Sequence, residues 1–195
     1  MAACPARAGT VIRHLTLHLP GQIVQSRLVR NFTLMNADNF SDLPEWVDER
    51  FYNEDMEGEE WKPNATYHAC KALYEKWREI VFVLKGLLST IAEGDDGFHS
   101  YTAAQVLQDA YLIGAKIISS EAGGIYIIRM GNAAVVRELA MGIYSSLLLF
   151  IEDDIIDEGH IRVTRNEIDN FRLLFIEWVN TFQKDECEDE WGLFV

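Results

Sequence analysis

A chain of 195 residues, 49% of them hydrophobic, has the length of one domain and can bury about 70% of its unfolded surface, so it needs neither disulfide nor metal staples. Its 17 Lys and Arg stand against 31 Asp and Glu, a formal charge of -14, which repels phosphate backbones and anionic lipid and attracts basic partners. Cys4, Cys70 and Cys187 are odd in number, far apart and in no metal-ligand spacing; they read as free thiols of a cytoplasmic protein rather than a disulfide framework.

Residues 1–34 contain Arg7, Arg13, Arg27 and Arg30 and no acidic residue, whereas the chain turns acidic from Asp38 onward. Such a stretch reads as a targeting segment, as a non-native start ahead of Met35, or as a basic arm that pairs with the acidic body. Each reading makes it an appendage outside the core. Residues 35–62 mix Phe40, Trp46, Phe51, Tyr52 and Trp61 with many carboxylates. Asp42, Leu43 and Pro44 predict the start of a short helix over 45–52. The cluster Glu54, Asp55, Glu57, Glu59 and Glu60 lacks the alternating oxygen ligands and the glycine of an EF-hand loop, and reads as a solvated loop.

Apolar residues from Tyr67 through Trp77 to Ile91 recur at three and four, predicting a first long helix over 64–92 that ends in the turn-forming residues 93–97. Ser100 is the expected cap of the next stretch. Residues 101–151 are apolar or small almost throughout, their charges being Asp109, Lys116, Glu121, Arg129, Arg137 and Glu138. One helix of that length would run about 75 Å at 1.5 Å per residue, too long for a compact domain. A break at Gly123-Gly124 is preferred. The run 152–161 reads as a loop, and Thr164 with Glu167 forms a capping box that opens a last helix over 164–184. The acidic tail 185–195 reads as solvated, or else as an acidic-hydrophobic peptide for a basic-rimmed groove on a partner. The expected fold class is all-α, an antiparallel bundle over 63–184 with four helices, or three if the central one is continuous.

No glycine-rich phosphate loop, His-Glu-x-x-His, Cys-x-x-Cys or Gly-x-Ser-x-Gly occurs, so no catalytic residue is assigned and no cofactor is expected. Bundles build dimetal sites from paired Glu-x-x-His motifs; here Glu121, Glu138 and Glu152 accompany a single Asp157-x-x-His160 in what reads as a loop. No metal is assigned. Arginines in apolar surroundings are costly unless paired. Arg129 and Arg137 therefore either meet carboxylates, with Glu121, Asp169 and Glu177 as candidates, or join Glu121 and Glu138 in holding a small anionic ligand. Small residues from Gly114 to Ser146, including Gly124 and Gly131 one heptad apart, let backbones approach closely despite a helix penalty of about 1 kcal/mol per glycine. That seam packs against the protein's own helices or against a second copy. Arg129, Arg137 and Glu138 interrupt the apolar stretch before a bilayer's length, so neither membrane nor nucleic acid is an expected partner.

The composition and patterning therefore point to a non-enzymatic, soluble helical bundle acting by self-association or by binding a basic-surfaced protein. One form of the latter is a DNA-like negative surface offered to a nucleic-acid-binding protein. The alternative is a bundle that holds an anionic ligand or metal in its core through Glu121, Arg129, Arg137 and Glu138.

Overall fold

The computed structural model describes residues 43–48, 51, 64–89, 91, 97–187 and 189–194; the basic arm 1–34, the start at Met35 and the acidic loop 54–60 lie outside the described residues. Four long helices and one short helical turn form, with no strand among the described residues: α1 Ala65–Leu88, α2 Phe98–Gly123, α3 Tyr126–Ser146, α4 Leu149–Glu152 and α5 Glu158–Asn180. The fold is all-α, an antiparallel bundle.

Helix α1 begins where the Asn64 side chain accepts the Tyr67 amide at 2.9 Å. Its apolar stripe faces inward, with Leu73, Tyr74, Trp77 and Leu84 fully buried. Burying side chains of this size contributes about 1.5 to 3 kcal/mol each. Trp77 anchors the centre: its indole donates to the Ala110 carbonyl of α2 at 2.7 Å, and its ring lies 4.6 Å from Phe171 of α5. Thus α1 packs between α2 and α5, and α2 packs in turn on α3, while α3 and α5 touch only sparsely.

The glycine pair breaks the central stretch. Gly124 takes a left-handed φ of 61° and Ile125 is extended, so the chain reverses before α3. The cross-links confirm the reversal, because Asn132 donates to Ser119 and Arg129 meets Glu121. A fifty-residue continuous helix is therefore excluded.

Several local expectations are corrected. Ser100 does not cap α2; Gly97, with φ 123°, occupies the cap position without a side-chain bond, and the Ser100 hydroxyl donates back to the Gly97 carbonyl. Helix α5 starts at Glu158 rather than at Thr164, because the Asp157 side chain accepts the amides of Gly159 and His160. Thr164 is internal and buried, donating to the His160 carbonyl, and Glu167 pairs with Lys76. The Asp157-x-x-His160 motif is accordingly a helix start.

Residues 43–47 form no helix; Asp48 begins a 3-10 turn, its carbonyl accepting the Phe51 amide, and residues 49, 50 and 52 of the expected helix lie outside the described residues. Contacts to α1 hold this segment. Tyr74 donates to the Pro44 carbonyl at 2.8 Å, Trp46 donates to Tyr67, and Asp48 accepts from Tyr67 and Lys71. Those bonds hold the Asp48 carboxyl below its usual range, the Tyr67 hydroxyl contributing most. Leu43 enters the core over Gly114, where a Cβ would stand 2.7 Å from both of its methyl carbons.

The tail is not simply solvated. Asp185 accepts the Tyr126 amide at 2.8 Å, supplying the first turn of α3 with the cap that Ile125 lacks. Its carboxyl is held below the usual range chiefly by that amide. Further on, the Phe194 ring lies 4.0 Å from the Cβ position of Gly131.

Candidate functional site

Of the four residues singled out as a ligand-binding set, the structure brings two together. Glu121 closes the last turn of α2, and Arg129 sits in the first turns of α3. The reversal at Gly124 sets their side chains 3.4 Å apart, at 5% and 13% exposure respectively. Burial pushes the Glu121 carboxyl above its ordinary range, and the Arg129 guanidinium pulls it back. Cys70 of α1 lies beside the pair, its thiol donating to the Ile117 carbonyl at 3.4 Å. Its pKa is raised well above the usual value, first by burial and then by the Glu121 charge, so it is a poor nucleophile.

A polar rung continues across the hairpin. Asn132 donates to the Ser119 hydroxyl at 3.1 Å, and both Ser119 and Ser120 donate to the Lys116 carbonyl. Glu121 Oε1 and Arg129 Nε are buried with no hydrogen-bond partner among the described residues. Neither of the grooves described below is lined by this pair. Its evident effect is to set the register of the α2–α3 hairpin, because a slip would leave two buried charges apart.

Arg137 and Glu138 do not join it. They follow Val136, which faces the core, and both point outward from the middle of α3. Arg137 lines a groove of about 490 Å³ between α3 and α5, on the side where those helices touch sparsely. The floor is apolar, formed by Ala140, Ile168, Phe171 and Phe175, and Met141, Ile176, Arg137 and Arg172 stand at its rim. Within it Tyr144 donates to Asp169, which also pairs with Arg172 at 3.4 Å, and the Arg165 guanidinium covers the Tyr144 ring at 3.8 Å. Sequence reasoning missed this groove; Met141 lies on α3 and Ile168 and Ile176 on α5, and only the splay between those two helices unites them.

A second apolar cleft, of about 820 Å³, lies between α1 and α5. Phe82, Val83, Ile155 and Val163 are exposed there, beside Asp157 and His160. Glu79, one turn before Phe82 and Val83, lies on the same exposed face of α1. Among the described residues no three His, Cys, Asp or Glu side chains converge as a metal site; Glu138 and Glu152 are both exposed and apart from Glu121.

The small residues divide by role. Gly114 admits Leu43 and Gly131 lies under Phe194, while Gly142 meets nothing within 4 Å. The view that charges cut the apolar stretch below a bilayer's length is also corrected. By length and composition Tyr126–Glu152 is apolar enough to cross a membrane, and only 28% of its apolar window is buried.

No protein-family model, curated protein or solved structure matches the chain.

Proposed function

We propose that this protein is a non-enzymatic, cytoplasmic helical bundle that acts by binding protein surfaces, with a second copy of itself as its partner across the outer face of α3. One observation carries the reading: Tyr126–Glu152, the one helical segment among the described residues long and apolar enough to cross a membrane, has only 28% of its apolar window buried, with Met141 54% and Leu148 36% exposed on it. Exposed apolar side chains on so apolar a helix support a contact face there. A protein partner fits that face better than lipid. Arg137 and Glu138 sit at the middle of the segment, where a bilayer would charge about 2.5 to 3.5 kcal/mol for the arginine alone. The opposite side of α3, through Ala133, Val136 and Ile143, is already committed to the protein's own core.

Sedimentation equilibrium of the full chain tests the reading. The expected mass is twice the 22.3 kDa of one chain, returning to one chain on Met141→Arg with the helical signal intact. A single-chain mass at every concentration would refute it.

A second reading rests on a separate observation, the exposed Phe82, Val83, Ile155 and Val163 beside Asp157, with Glu79 on the same exposed face of α1. An apolar cleft with an acidic margin suits a basic amphipathic helix of another protein. Titrating such a helix against the full chain and a Phe82→Ser, Val163→Ser variant tests it; equal affinity for both would count against it.

A further inference from the structure

We infer that the C-terminal tail of one copy seats in the α3–α5 groove of the other, and that the exchange is reciprocal. This rests on the self-association through α3 and names the parts that make it specific.

The tail is built to present apolar side chains. Asp189 accepts the amides of Trp191 at 3.1 Å and Leu193 at 2.7 Å, and its carbonyl accepts the Gly192 amide, with φ 69° at that glycine. This closed turn leaves Trp191 89% exposed and Leu193 75% exposed. Part of the ordering cost of binding is thereby met before any partner arrives. Asp185 and Phe194 hold the turn over the first half of α3.

The groove is complementary in both chemistry and charge. Its apolar floor would receive Trp191 and Leu193. Arg137 and Arg172 at its rim, in a protein of charge -14, would meet Glu186 and Glu190 of the incoming tail. Position agrees as well. The tail reaches Gly131, and the groove centres on Met141, ten residues or about 15 Å along the same helix. Two α3 helices crossing antiparallel about a two-fold axis bring each tail level with the other copy's groove, so one contact made twice closes the dimer.

The test compares the full chain with Trp191→Ser, Leu193→Ser and with Arg137→Glu, Arg172→Glu by sedimentation equilibrium, circular dichroism serving to verify the fold. Each pair is expected to weaken dimerisation at least tenfold. Adding Glu186→Arg and Glu190→Arg to the groove variant is expected to restore it, which a loss of folding would not allow. A synthetic peptide of residues 185–195 in excess is expected to dissociate the unaltered dimer. If the full chain dimerises and the tail variant dimerises equally, the tail exchange is wrong and the α3 interface stands. If the charge swap fails to restore a folded groove variant, the pairing is wrong. If the full chain is a monomer throughout, both readings fall.

Discussion

Arg129 Nη2 lies 3.4 Å from Glu121 Oε2 at the closed end of the α2–α3 hairpin, and each residue keeps a buried polar atom that nothing else among the described residues satisfies. A pair in this state is a poor source of net stability and a strong source of specificity, because either charge alone is worse than both or neither. Glu121→Leu and Arg129→Met are each expected to destabilise the protein by about 3 to 5 kcal/mol. The double replacement is expected to restore most of that loss. Guanidinium unfolding of the four-member cycle measures the coupling, and additive losses would show that the two residues act separately.

The pH dependence carries the opposite sign from most carboxylates. Burial raises the Glu121 pKa on folding, so between the ordinary glutamate value and the folded one the native state binds the extra proton. Stability from this group is full at low pH and falls as pH rises through that window. Asp48 and Glu167, whose pKa values are lowered by their partners, contribute in the other direction, losing stability as pH falls through their folded values. The stability of the unaltered protein relative to Glu121→Gln is therefore expected to decline with rising pH above the ordinary glutamate value. A flat difference across that range would place the carboxylate in a more solvated setting.

Gly114 and Leu43 form a lock in which the sign of one substitution depends on the other residue. With Leu43 present, the Cβ of Gly114→Ala meets its methyl carbons at 2.7 Å, and the overlap offsets the helix gain. In a Leu43→Ala background the same substitution is expected to stabilise by about 1 kcal/mol. Leu43→Ala alone is expected to cost about 2 to 5 kcal/mol. Thermal unfolding of the four proteins resolves the change of sign.

Asp157 opens α5 by accepting two of its free amides. Its replacement by Ala is expected to cost about 1 kcal/mol, and by Asn or Ser a fraction of that. Thr164→Val tests the rejected alternative: with Thr164 inside the helix and its hydroxyl on the His160 carbonyl, the loss is one internal hydrogen bond and the first turn of α5 stays ordered by amide exchange.

The helices were legible where their apolar residues repeat at helical spacing and a breaker closes them, as with Trp77 in α1 and Gly124 after α2. Boundaries failed where capping chemistry competes. Thr164 with Glu167 has the spacing of a capping box, but Asp157 sits seven residues earlier and its carboxylate reaches two amides. Of the helix that the proline and acidic residues announce over 45–52, residues 45–47 stay non-helical, where the hydroxyl of Tyr74 donates to the Pro44 carbonyl, a partner thirty positions away in the chain. Glu121 and Arg129 were visible as charges in an apolar run, and the glycines between them already implied that they could meet. The groove at Arg137 was not visible, since it depends on how far α3 stands from α5, a distance that no local pattern in either helix encodes.

The reversal at Gly124 also sets an order of events for a chain leaving the ribosome. The α2–α3 hairpin closes across two residues, so its contacts cost little loop entropy and can form as soon as α3 emerges. Contacts between α1 and α5 span far more chain, the Thr66 hydroxyl reaching the Thr181 carbonyl across 115 positions. Until residue 180 is synthesised and free, Trp77 has no Phe171 to cover it. Between the emergence of α3 and that of α5 the nascent protein thus holds a finished hairpin and a first helix uncovered on its α5 side, the interval in which a chaperone has the most to protect.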